Sequence, residues 1–223
     1  KYCVKRLLFL GSSCIYPKKS KQPILEEYLL SGYLETTNEY YALAKISGIK
    51  LCEALRKQHN FDAICLMPCN LYGIGDTYDP INGHVIPALI RKFHEGKKKN
   101  LEIVECWGSG NPLREFLYVD DLANACIFSL EYWNPNFNNN IEKENYELCW
   151  MNVGSDFEIS IKELVNKISR IIGYKGKIIW NKEMPDGTYR KKLDTRKINN
   201  LGWEAKTSLD EGLKHTIREY EKN

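Results

Sequence analysis

Apolar positions along this chain fall into short unbroken runs and longer stretches at helical spacing, the rhythm of strands followed by helices. Leu7-Leu8-Phe9-Leu10 is such a run and ends in Gly11-Ser12-Ser13. It predicts a buried parallel strand whose tip carries small hydroxyl residues. From Thr36 to about Gln58 apolar residues recur at helical spacing. Thr36 with Glu39 three residues on matches a capping box, so the helix is expected to open at Thr36. Ala63 to Met67 predicts the next strand, leaving through Pro68-Cys69-Asn70-Leu71-Tyr72-Gly73 as a loop. A polar stretch from Gly75 to Gly83, rich in Asp, Asn, Pro and Gly, reads as a crossing into a second domain.

The second half repeats the alternation. A helix is expected from His84, a strand over Leu101 to Trp107, and a turn cluster from Gly108 to Pro112. A strand over Arg114 to Val119 and a helix over Asp120 to Tyr132, with Asp120 as N-cap, come next. Asn134 to Glu147 holds six asparagines and few apolar residues, which predicts a mobile surface insertion. Met151 to Gly154 reads as a last strand of the first sheet. Ser160 to Ile172 and Ser208 to Tyr220 read as amphipathic helices. Strands and helices in this alternation make an α/β chain. No internal repeat is visible.

Composition narrows the class. With 223 residues, 43% hydrophobic and 27% charged, the chain can bury a substantial core and has the balance of an ordinary soluble enzyme. A net charge of +3 is too small to argue for nucleic acid. Lys97-Lys98-Lys99 falls where a helix is expected to end, and reads as a solvated terminus favoured by the helix dipole. No apolar run approaches a membrane span, and no signal peptide is visible. The eight cysteines form no C-x-x-C pair, and Cys65 and Cys69 lack a matching histidine pair, which argues against zinc. No metal is expected. With no N-x-S/T sequon, a reducing cytoplasm is the expected compartment.

Candidate chemistry starts on the first long helix. Tyr41 and Lys45 are four residues apart and share one helix face. A phenol beside an ammonium ion can donate and accept a proton nearer neutrality than a phenol alone. Tyr40 has no lysine four residues on. In open α/β sheets ligands bind outside the carboxyl ends of strands, which is where Ser12 or Ser13 would sit. A Ser-Tyr-Lys constellation follows, against the blander reading of a surface tyrosine and lysine. Arg114 is a permanently charged donor fork suited to a diphosphate, and Trp107 offers a flat face to a sugar or base. Their blander readings are a surface ion pair with Glu115 and a core tryptophan.

Six stretches then carry a resemblance: GSSCIYP, LETTNEYYALAKISGIKLCE, MPCNLYGIGD, HVIPALIRKFHE, WGSGNPLREFLYVDDLA and PDGTYRKKLD. Together they resemble the extended short-chain dehydrogenase/reductase family. Within it they are most similar to the bifunctional epimerase-reductases that turn GDP-4-keto-6-deoxy-mannose into GDP-fucose. The resemblance implies the C-terminal part of an NAD(P)-binding Rossmann sheet in residues 1–75, with 115–154 returning to it. Residues 76–114 and 155–223 would form a smaller mixed α/β domain that binds the nucleotide sugar. It implies NADP(H) as cofactor and a homodimer packed through two long helices per subunit, one carrying Tyr41.

By the same resemblance, Ser12, Tyr41 and Lys45 would handle the reduction, and Cys14 and His84 the epimerisation. Tyr41, Lys45, Pro68, Asn70, Leu71 and His84 would contact the cofactor. Trp107, Arg114 and Asp186 would contact the GDP-sugar, with Lys191 adding a phosphate contact. Lys92 stands where the family often has arginine, keeping the charge without the bidentate geometry. The family's glycine-rich βαβ loop is not found ahead of Lys1. The expectation is therefore a fragment of a longer protein, or a remnant that holds NADP weakly. Two other readings are a different nucleotide-sugar epimerase or dehydratase of the same superfamily, and a non-catalytic nucleotide-sugar-binding subunit.

Overall fold

The computed structural model describes residues 3–79, 83–135 and 147–222, so most of the asparagine-rich stretch lies outside the described residues. The strands are β1 (Arg6–Leu10), β2 (Asp62–Pro68), β3 (Asn70–Tyr72), β4 (Ile103–Trp107), β5 (Leu113–Tyr118), β6 (Trp150–Val153), β7 (Glu158–Ser160), β8 (Lys177–Asn181) and β9 (Arg190–Lys191). The helices are α1 (Glu39–His59), α2 (Val85–Lys98), α3 (Val119–Tyr132), α4 (Ile161–Ile172), α5 (Arg196–Asn200) and α6 (Leu209–Tyr220). The chain divides into two units. The first comprises Lys1–Cys69, Asp121–Asp156 and Lys192–Ala205; the second comprises Asn70–Asp120, Phe157–Lys191 and Lys206–Asn223.

The first unit is built on a parallel sheet in the order β1-β2-β6. Leu8 pairs with Ile64 and Met67 with Asn152. β2 is buried from Ala63 to Pro68, as its continuous apolar run requires of a strand covered on both faces. α1 is the crossover that parallel β1 and β2 need. It approaches the sheet at Gly48, where an added Cβ would lie 2.3 Å from the Phe9 ring. That close approach lays the first half of α1 along the carboxyl end of β1.

The second unit is mixed. β5 runs parallel to β3 and β9 and antiparallel to β7, while β4 pairs with β8 in a separate parallel ribbon. Its core gathers Tyr72, Phe93, Val104, Phe116, Leu164, Ile168 and Leu213 from strands and helices alike. α4 and α6 both open on complete capping boxes, Ser160 with Glu163 and Ser208 with Glu211. Lys97 donates to the Ile172 carbonyl at the end of α4, and Lys99 pairs with Glu95.

Three local expectations give way. Thr36–Asn38 forms a 3-10 turn and α1 begins at Glu39, with no side-chain cap bond from Asn38. A residue inside a helical turn cannot adopt the extended backbone of an N-cap, so the Thr36–Glu39 box does not form. Asp120 is not an N-cap, because β5 runs directly into α3 at Val119; it lies in the first turn, where a carboxylate favours the helix dipole. The exit expected as a loop after Met67 instead continues to Pro68 and forms β3 against β5.

Candidate functional site

In the first unit, Gly11 leaves the tip of β1 and its N–H is held by the Leu66 carbonyl at 2.8 Å. An added Cβ there would lie 2.3 Å from the Met67 sulfur, so the tip sits hard against β2. Ser12 caps the 3-10 turn Ser13–Ile15, its Oγ accepting from the Cys14 N–H at 3.2 Å. Ser13 is 3% exposed while Ser12 and Cys14 are half-buried, which leaves Ser12 the hydroxyl with access to a ligand. α1 packs against this turn. Lys45 donates from Nζ to the Leu10 carbonyl at 2.9 Å. The same ammonium lies 5.7 Å from the centre of the Tyr41 ring and 5.3 Å from that of Phe9. Tyr41 is exposed, as is Tyr40. Pro68 is buried at the end of β2.

The bond to Leu10 fixes the Lys45 ammonium at the ligand end of a parallel strand and uses one of its three protons. Two remain for acceptors such as ribose hydroxyls, so the residues fit the cofactor expected there. One turn of helix separates Lys45 from Tyr41, which places both on the same exposed edge of α1.

In the second unit, Asn70 and Leu71 lie half-buried in β3, with Asn70 Nδ2 donating to the Glu115 carbonyl at 3.2 Å. His84 precedes α2, its ring 84% exposed and its Nδ1 3.9 Å from Asp76. Lys92 donates to the Glu105 carbonyl at 2.9 Å and lies 5.7 Å from the centre of the Trp107 ring. Trp107 is 62% exposed, so it is a presented face and not a core residue.

Arg114 and Lys191 stand in register across β5 and β9, and paired residues in neighbouring strands point to the same face. Burial holds the Arg114 guanidinium below its ordinary value, against the opposing pull of the Asp186 carboxylate. Its Nη1 donates only to its neighbour's carbonyl, Leu113, at 2.8 Å. Asp186 is held below the usual carboxylate range, first by the Ser109 N–H at 2.6 Å and then by the Ser109 hydroxyl at 2.8 Å. This packing needs Gly108, whose φ of +76° is left-handed and whose added Cβ would meet Asp186 at 2.3 Å. The Asp186 carboxylate thus offsets part of the cost of burying the guanidinium.

A family model described as the NAD dependent epimerase/dehydratase family matches residues 1–142. The chain belongs to that family. It is 52% identical over 220 residues to a putative GDP-L-fucose synthase 2 of Arabidopsis thaliana, covering 99% of this chain and 63% of that protein. It is 48% identical to the GDP-L-fucose synthase of Escherichia coli, covering 99% of this chain and 68% of that protein. Among solved structures it is similar to a GDP-L-fucose synthetase from Naegleria fowleri bound to NADP, with a TM-score of 0.85 and 25% identity. That match covers 99% of this chain and 67% of that one. The chain thus spans just under two thirds of the length of the Arabidopsis relative.

For an epimerase/dehydratase-family chain, the expected residues fall into two groups. Ser12, Cys14, Tyr41, Lys45 and Pro68 belong to the first unit; Asn70, Leu71, His84, Lys92, Trp107, Arg114, Asp186 and Lys191 belong to the second. Ser109 was not among the expected residues, yet it holds Asp186 through two bonds. Its signal was faint: a serine between two glycines, read only as a turn. Among the described residues no helix is long and apolar enough to cross a membrane.

Proposed function

We propose that this protein converts GDP-4-keto-6-deoxy-D-mannose to GDP-L-fucose with NADPH, as a combined epimerase and reductase. The observation that carries the reading is the Lys45 ammonium, anchored at the β1 tip and lying against the Tyr41 ring, in a chain of this family. The ketone at C4 of the sugar acidifies the protons at C3 and C5. Cys14 and His84 serve as the acid/base pair that removes and returns those protons on opposite faces. Bound NADPH supplies the hydride for the final reduction. Tyr41 gives its proton to the C4 oxygen, Ser12 donates a hydrogen bond to that oxygen, and Lys45 holds the phenol and the ribose hydroxyls in place.

Pro68, Asn70, Leu71 and His84 contact the cofactor in this reading. Arg114 and Lys191 take the diphosphate, which answers the desolvated charge of Arg114. Trp107 stacks on the base or sugar, with Lys92 and Asp186 completing the contacts. We place the protein in the cytoplasm, where its free thiols stay reduced. We assign it a homodimer built on α1 and a second helix: α1 exposes Tyr40, Leu43 and Leu51, and α3 exposes Ile127 and Leu130.

The test is turnover in deuterated water with the product resolved by NMR. The wild-type protein should incorporate solvent deuterium at C3 and C5 and consume NADPH. Cys14→Ser should lose deuterium uptake while still reducing an unepimerised 4-keto sugar. Unchanged turnover in Cys14→Ser would favour another nucleotide-sugar epimerase or dehydratase. Titration with NADPH tests the non-catalytic reading, since micromolar binding is incompatible with it.

A further inference from the structure

We propose that Tyr16 and Asn152 are positioning residues for the Ser12–Cys14 turn, an inference that rests on the role given to that turn above. Tyr16 follows the turn directly and is 3% exposed, while Asn152, on β6, is fully buried. The Tyr16 hydroxyl donates to Asn152 Oδ1 at 2.6 Å. Asn152 Nδ2 donates to the Ile24 carbonyl at 2.9 Å and to the Asp194 carbonyl at 3.2 Å. Both amide protons therefore have backbone acceptors, which fixes the amide with its oxygen toward Tyr16. The backbone N–H of Asn152 donates to Glu26 Oε1 at 3.0 Å.

One side chain thus ties the turn to β6, to the Ile24–Glu26 segment, and to the bridge that pairs Ile24 with Leu193. The Tyr16 phenol reaches this knot two residues after Cys14. Within the turn itself, Ser12 is held by its own bond to the Cys14 N–H. That bond shapes the turn locally; the Gly11 N–H holds its start to β2, and the Tyr16 phenol holds its end. A polar residue in an otherwise apolar β6 is costly unless fully bonded, so Asn152 is a residue with a task and not a filler.

The test is alkylation of Cys14 by iodoacetamide, read by peptide mass spectrometry, with half-buried Cys126 on α3 as the internal reference. Tyr16→Phe keeps the ring and removes the bond. Its Cys14 rate should rise about five-fold, as loss of a bond worth roughly 1 kcal/mol implies, with Cys126 unchanged. Asn152→Leu removes the acceptor itself and should raise the Cys14 rate at least as much, and adding Tyr16→Phe to it should produce no further rise. In turnover, Tyr16→Phe should lower kcat about ten-fold with KM within about two-fold, since binding groups are untouched. An unchanged Cys14 rate in folded Tyr16→Phe, or a double variant whose rise equals the product of the two single rises, would overturn the proposal. If the wild-type protein fails to turn over the GDP-sugar, the functional reading falls while the alkylation result still decides the role of Tyr16.

Discussion

Glu26 is a half-buried carboxylate. Burial raises its pKa above 4.5, against the opposing pull of the Asn152 N–H and of Lys197, while Asp194 adds to the rise. Tyr16 faces the same carboxylate, and its own pKa is raised well above 10.0 by burial first and Glu26 second. A group whose folded pKa lies above its unfolded value contributes stability below the unfolded value and loses it as pH rises through the folded one. Glu26→Gln keeps the acceptor for Asn152 and removes that loss. Its melting temperature should therefore exceed wild type by more at about pH 7 than at about pH 4; equal differences at both would contradict the account. None of this was legible in the sequence, because the Glu26-Glu27 pair, twelve residues past Cys14, carries no periodicity and no motif. Residue type and helical period made Arg114, Trp107 and the Tyr41–Lys45 pair candidates, while the resemblance singled them out from the other arginines, tryptophans and tyrosines of the chain.

At the scale of elements, the contact between α1 and β1 depends on one missing side chain. Gly48 admits the Phe9 ring, and a Cβ at that position would lie 2.3 Å from it. Gly48→Val should destabilise the protein by about 1–3 kcal/mol through overpacking, read as a lower urea midpoint at constant slope. Phe9→Leu in the same chain should recover part of the loss, and an additive second loss would contradict the packing account. The long helices α1, α2, α4 and α6 were readable because each repeats an apolar face over three or more turns. The short strands β3, β7 and β9 were not, since two or three residues contain no period to detect. β8 was within reach: Lys177-Ile178-Ile179-Trp180-Asn181 is an apolar run, and only its pairing with β4 required coordinates. The Thr36 box misled because two residue types at the right spacing do not dictate the backbone angle of the first.

For the whole molecule, the alternation of runs and periodic stretches was enough to give an α/β chain with a parallel strand at its start, while the mixed second part came from the resemblance. The course of the chain between its two units was not readable, because Lys192–Ala205 returns to the first unit through contacts remote in sequence. The proposed homodimer predicts a mass of two chains in light scattering at micromolar concentration. Leu51→Glu, which charges an exposed apolar position on α1, should shift it to one chain; a wild-type monomer would refute the dimer. The central claim is that Tyr41, held by Lys45, protonates the sugar ketone during reduction. It is tested most directly by the rate of NADPH consumption with GDP-4-keto-6-deoxy-D-mannose in Tyr41→Phe, alongside deuterium uptake at C3 and C5. The account predicts a rate lower by about 10²-fold or more with deuterium uptake retained; a Tyr41→Phe protein that consumes NADPH at the wild-type rate would contradict it.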